Sequence, residues 1–195
     1  MALIALRKSW RICGALFPLI YYFSDRSITL FILLPFVGIF IIIEILRFYF
    51  FRFNENFFHI FRYFLKEHER KNLLNTTWSL LSTLLAVILF AQDIAIIAML
   101  FFIFGDAASA VFGLKFGRTK IIGNRSLEGS LAFFITCLII ATIMNFTKVN
   151  LAWPVMVIGA LAATLSELLP LPLDDNFTIA LFSGIIMTVV SKVLG

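Results

Sequence analysis

The sequence predicts an all-α, polytopic membrane protein with about seven transmembrane helices and one cytoplasmic interfacial amphipathic helix. Residues 1–195 form a single integral membrane domain in this reading. Three observations predict it. The chain is 62% hydrophobic and only 14% charged, against roughly 45–50% and about 25% in soluble domains. Its apolar residues come in successive runs of bilayer-crossing length. Its basic residues sort by alternate loops.

Taken in order, the apolar runs fall at about 10–23, 28–46, 75–91, 94–113, 130–146, 151–169 and 177–194. Each but the first approaches the roughly 17–25 residues a crossing helix needs; the first is short and contains Pro18. A cleaved signal peptide fits poorly, because no small-residue cleavage site follows and further spanning runs do. Cys13 and Cys137 both sit in apolar runs and read as small buried hydrophobes rather than a disulfide or metal framework. Thirteen of the 16 Lys and Arg residues fall on one side: Arg7, Lys8 and Arg11, then six between Arg47 and Lys71, then Lys115, Arg118, Lys120 and Arg125. Arg26, Lys148 and Lys192 are left opposite. The positive-inside rule puts the N-terminus and the majority side in the cytoplasm. The net charge of +5 is thereby mostly topology, and no nucleic-acid partner is expected.

The longest polar connection, about 47–72, alternates two faces. Arg52, Glu55, His59, Arg62, Lys66 and Glu69 recur at steps of three and four, while Phe50, Phe53, Phe57, Phe61 and Phe64 fill the other side. That is the 3.6-residue period of an amphipathic helix lying in the headgroup plane. It serves either as a plain anchor or as the entrance for a lipid. His59 and His68 are isolated and read as solvated or lipid-facing, not metal-ligating. The chain carries no evident internal repeat or soluble extramembrane domain.

Between Phe101 and Phe134 the chain interrupts two apolar runs with an aspartate, glycines and bases. Asp106 lies at least a turn inside an apolar helix, where an ionised carboxylate costs a few kcal/mol, so a polar cavity and a cationic partner are expected. A buried pair with a loop arginine is the plainer alternative. Ala107, Ala108, Ser109 and Ala110 are small and permit close helix approach. In GLKFGRTKIIGNRSLEGS, Gly113 and Gly117 repeat at GxxxG spacing, but Lys115 and Arg118 argue against a lipid-buried dimer face. The stretch at about 105–130 reads equally as a plain basic loop or as a loop whose backbone N–H groups and cations wrap a polyphosphate. Ser126 is placed to cap the following helix. It is not a Walker A loop, having no GKS or GKT.

A third cluster joins Glu167 to Asp174, Asp175 and Asn176 through LLPLPL. Pro170 and Pro172 stop one helix, and either aspartate can cap the next. Capping accounts for one acid, not for several facing one compartment. With Asp106 and Glu128 they form an oxygen-donor set suited to Mg²⁺, which bridges carboxylates to substrate phosphates. Acids beside a basic glycine loop are what phosphoryl or nucleotidyl transfer requires.

At these residues the chain resembles the CTP-dependent polyprenol kinase family: dolichol kinase, phytol kinase and the CTP-using diacylglycerol kinases. GDAASAVFGLKFGR, NRSLEGSLAFF and ELLPLPLDDN carry the resemblance, with weaker matches at RKSW, EILR and LKEHE. It implies a membrane enzyme of phospholipid or isoprenoid metabolism that moves the terminal phosphate of CTP to a lipid hydroxyl, with Mg²⁺. By the resemblance Asp106 is metal-associated; the acidic set read from the residues themselves offers Glu128 or Asp175 as a further ligand. Lys115, Arg118, Lys120 and Arg125 are phosphate contacts; Ser126, Glu128 and Gly129 match the SxEG element; Asp174, Asp175 and Asn176 match the late acidic motif. Asp174 or Asp175 then orients or deprotonates the lipid hydroxyl. Two positions depart from the family: Arg11 stands where a histidine is common, and Asn124-Arg125 where lysines precede SxEG.

The same block also resembles the signature of phosphatidate cytidylyltransferases, which attack the α-phosphate of CTP and release pyrophosphate. A small transporter with an intramembrane acid is the non-enzymatic alternative. The acceptor lipid and the oligomeric state are open.

Overall fold

The computed structural model describes residues 13–65, 67–123, 125–170 and 173–194. The RKSW element with Arg7, Lys8 and Arg11, the start of the first expected span, and Lys66, Asn124 and Pro172 lie outside the described residues, as do the side chains of Cys13 and His68.

Among the described residues the regular structure is helical apart from one small hairpin, in line with the all-α expectation. A short 3-10 turn leads into α1 (Leu16–Phe23), followed by α2 (Arg26–Tyr49), α3 (Phe51–Phe61) and α4 (Asn75–Leu89). Next comes α5 (Gln92–Phe116), continuous through a π-helical turn at Phe101–Gly105. Strands β1 (Lys120–Ile122) and β2 (Arg125–Ser126) precede α6 (Leu127–Asn145), α7 (Trp153–Leu168) and α8 (Asp175–Leu194). Among the described residues, length and composition single out four candidate spans, α2, α5, α6 and α8, where the sequence predicts about seven. Helices α4 and α7 are apolar but have only 15 and 16 residues.

Helix α5 is the centre of the bundle. Sixty-one per cent of its most apolar window is buried, against 22–33% for the other three spans, so α5 is wrapped by protein and the others turn an apolar face outward. Ile96, Ile97, Ala98, Met99 and Phe101 fill the core with Phe133, Cys137, Met156 and Ile179. An all-round apolar helix belongs in such a place. Phe31, Leu34 and Ile42 of α2, by contrast, are exposed hydrophobics that a bilayer solvates. Cys137 is buried and free, as its apolar run implies.

Hydrogen bonds define the two ends of the bundle. At one, Arg26 Nη2 donates to the Phe90 carbonyl at 2.7 Å, Gln92 Nε2 to Tyr21 O at 2.6 Å, and the Asn150 N–H to Asp93 Oδ2 at 3.0 Å. At the other, the end of α2 meets the start of α4, and β2 meets the start of α8. Among the described residues, the hairpin and the late acidic motif fall at this second end.

The expected amphipathic stretch 47–72 is not one helix. Arg47 belongs to α2, where it is 2% exposed and paired with Glu44. A break at Phe50 then starts α3. Phe53, Phe57 and Phe61 do form an aromatic row, with centroids 6.2 and 4.7 Å apart, and His59 is exposed. The buried residue is Phe58, outside the predicted apolar face. The guanidinium carbons of Arg47 and Arg70 each stand 5.2 Å from its ring centroid. A buried cation recruits the nearest π face, which rotates the helix from the orientation its periodicity alone implies.

Candidate active site

Asp106 follows the π-helical turn directly and is half-buried. The turn has a packing partner: a Cβ on Gly105 would stand 2.8 Å from the Phe133 ring, so glycine is what lets α5 and α6 approach there. Single π turns within α-helices recur at functional sites. One turn further on, Ser109 Oγ donates to Glu167 Oε1 at 2.9 Å, and Ser130 Oγ of α6 donates to Glu167 Oε2 at 3.1 Å. Both oxygens of a buried carboxylate are thereby engaged, and three helices meet on it. Glu167 stands among the acids of the sequence reading but not among its candidate site residues. The signal was an acid closing an otherwise apolar helix.

The stretch after α5 is a folded hairpin and not an open wrapping loop. Gly123 turns it at φ 55°, the left-handed conformation that glycine adopts without penalty. Lys120 pairs with Ser126 and Ile122 with Arg125, and the Leu127 N–H donates to the Thr119 carbonyl at 2.9 Å. Gly113 lies within α5, and the Gly117 N–H donates to the Gly113 carbonyl at 3.0 Å. That backbone donor closes a helix end rather than a phosphate cradle. The glycines are contact points between helices: a Cβ on Gly129 would stand 3.1 Å from the Ser109 carbonyl and 3.3 Å from Gly113 Cα.

Ser126 caps α6, accepting from the Gly129 N–H at 3.2 Å. Glu128 accepts from the Thr119 N–H at 3.1 and 3.3 Å and so ties the hairpin to the α6 start. Lys115, Arg118 and Lys120 are exposed around this hairpin. Arg125 instead turns inward, its Nη2 donating to Asp175 Oδ1 at 2.6 Å. Asp174 Oδ1 caps α8 through the Asn176 N–H at 2.9 Å. Two N–H donors at this junction are buried with no partner among the described residues: Arg125 Nη1 and Asn176 Nδ2. Buried donors left unmade are costly, and two together at a helix start suit an anionic oxygen.

Among the described residues no three His, Cys, Asp or Glu side chains gather into a metal-sized cluster. The acids of the expected set divide between Asp106 on α5, Glu128 on α6 and Asp175 on α8. An all-oxygen set supplying one or two carboxylates fits Mg²⁺, whose remaining ligands come from substrate phosphates and water.

No family model matches the chain, and no solved structure matches it. Among curated proteins it is similar to CTP-dependent diacylglycerol kinase 1 of Eremothecium gossypii, 26% identical over 93% of the chain and 65% of that protein. The protein of the same name from Saccharomyces cerevisiae is 30% identical over 59% of the chain and 48% of its own length. An uncharacterized protein of Rickettsia prowazekii is 25% identical over 90% of the chain and 88% of its length. The chain thus spans about half to two thirds of the named kinases. Two of these relatives, at 26 and 30% identity, carry the name of a CTP-dependent lipid kinase.

Proposed function

We propose that the chain is a CTP-dependent lipid kinase that transfers the γ-phosphate of CTP to the hydroxyl of a lipid alcohol, diacylglycerol or a polyprenol. The observation that carries this reading is the junction of β2 with α8, where Arg125 pairs with Asp175 while Arg125 Nη1 and Asn176 Nδ2 are buried with no partner among the described residues. Phosphate oxygens arriving there complete both donors. The names of the two fungal relatives support CTP as the donor and a lipid as the acceptor. About seven crossings with the N-terminus and this junction in the cytoplasm belong to the same reading, supported by the sorting of bases and by the polar end of the bundle.

In the mechanism, Arg125 and the hairpin bases neutralise the triphosphate. Asp106 and Asp175 would hold Mg²⁺, which when bound draws off charge from the phosphate oxygens. Asp174 orients the acceptor hydroxyl and takes its proton as the oxygen attacks the γ-phosphorus. One P–O bond forms to the lipid, the β–γ bridging P–O bond breaks, and CDP leaves with that bridging oxygen. Glu167 positions Asp106 by binding the serine one turn away.

The test is a positional label. Purified protein in lipid micelles receives CTP labelled at the α- or the γ-phosphate, with diacylglycerol and polyprenol as acceptors. Label entering the lipid from the γ-position supports the kinase; label from the α-position with pyrophosphate release assigns the chain to cytidylyl transfer instead.

A further inference from the structure

A cleft of about 520 Å³ opens beside the late acidic motif, lined by Phe48, Lys71, Asn75, Trp78, Leu173 and Asp174 among others. Its walls come from the end of α2, the start of α4 and the approach to α8. Nothing in the mechanism above uses it except Asp174. Resting on the kinase reading, we propose that this cleft is the acceptor site, receiving the polar head of the lipid alcohol and presenting its hydroxyl to Asp174.

Its size falls within the roughly 300–1,000 Å³ of ligand sites, enough for a headgroup and the first part of a chain. The lining is divided to match an amphipathic ligand: Phe48, Trp78 and Leu173 are apolar, whereas Lys71, Asn75 and Asp174 are polar. Phe48, Tyr49 and Phe50 at the end of α2 are 52, 80 and 59% exposed, so an apolar surface leads from the cleft along the helix that faces the bilayer. A tail continues outward there while the head stays in the cleft. Asp174 is the hinge of the arrangement. It lines the cleft, and its neighbour Asp175 binds Arg125 of the hairpin. Acceptor and nucleotide thereby reach the α8 start from different neighbours, α4 and β2. Lys71 is placed to meet the negative charge of the phosphorylated product.

The walls are fixed before any ligand arrives. Glu44 Oε1 accepts from the Leu74 N–H at 2.7 Å and from Thr77 Oγ1 at 2.8 Å, holding the start of α4 to α2. Trp78 packs edge-on against Phe177, with centroids 5.2 Å apart, holding α4 to α8. A site built on rigid elements holds its ligand in one pose. The rival occupant is the nucleotide base, stacked on Trp78. The apolar approach from Phe48 favours the lipid.

Two measurements decide. A diazirine-bearing diacylglycerol, photolysed with the wild-type protein in vesicles, is expected to label residues 71–78 or 173–174. Labelling confined to other segments overturns the inference. Because the photolabel needs no turnover, the outcome is separable from failure of the kinase reading itself. In steady-state assays Trp78→Ala is expected to raise KM for the lipid about tenfold with KM for CTP unchanged, and Trp78→Phe to restore much of it. A rise in KM for CTP instead assigns the cleft to the base, and no change in either KM removes Trp78 and the cleft from the site.

Discussion

Arg125 Nη2 donates to Asp175 Oδ1 at 2.6 Å, joining the hairpin before α6 to the first residue of α8 across 50 positions of sequence. Both side chains are partly exposed, at 22 and 39%, so the pair itself contributes to stability only on the order of a few tenths of a kcal/mol to 1 kcal/mol. Its weight lies in positioning a guanidinium whose second nitrogen has no partner among the described residues. Arg125→Lys keeps the charge but loses the planar fork. Turnover is expected to fall on the order of 10³-fold, as when an arginine is lost from other phosphoryl-transfer sites, while the melting temperature barely moves. A comparable fall in both would make Arg125 a structural residue.

Asp106 is expected to be indispensable for turnover and dispensable for folding. It is half-buried at the exit of a π turn, and Asp106→Asn preserves its volume while removing the negative charge a divalent cation needs. The variant should insert, purify and melt like the parent, and show at least a 10³-fold lower rate with an increased Mg²⁺ requirement. Chelation of the wild-type protein with EDTA should abolish transfer and added Mg²⁺ restore it. Undiminished transfer in EDTA would exclude a divalent cation from the reaction.

Gly117 and Gly38 provide a paired comparison. A Cβ on Gly117 would overlap the Gly113 carbonyl oxygen and stand 2.6 Å from Ser126 Oγ, whereas a Cβ on Gly38 meets nothing within 4 Å. Gly117→Ala must displace backbone at the end of α5 or unseat the α6 cap, and an unmade cap alone costs about 1 kcal/mol. Lower thermal stability and loss of transfer are expected together. Gly38→Ala sits inside α2, and replacing a helical glycine by alanine gains up to about 1 kcal/mol. Equal effects of the two substitutions would contradict the close approach of α5 and α6.

The fold class was legible because apolar runs and sorted bases are local signals, and the sites of Asp106, Ser126 and Asp175 stood out as polar residues in apolar surroundings. The hairpin was hidden because its β1 and β2 are three and two residues long, too short to show a period of two. The partition of 47–72 was hidden for another reason. Periodicity reports which residues share a face, but not that Arg47 is drawn into the protein by Glu44 and pulls Phe58 over itself. The Glu167 clamp has sequence separations of 58 and 37 residues, and no local pattern encodes it.

The Glu44–Arg47 pair is expected to carry stability rather than chemistry. Its side chains are 5 and 1% exposed. Arg47 Nη2 also donates to the Glu69 carbonyl, and Glu44 accepts from Leu74 and Thr77. The network is satisfied on both sides and joins α2 to the segment that follows α3. Removing one member of such a pair strands a buried charge, at about 3–5 kcal/mol. Glu44→Ala and Arg47→Ala should each unfold at markedly lower temperature in detergent. The double substitution Glu44→Gln/Arg47→Met strands neither charge of this pair and should lose less stability than either. Should all three variants melt like the parent, the charges would have no part in holding α2 to α4, and the hydrogen bond from Thr77 would be only incidental to that contact.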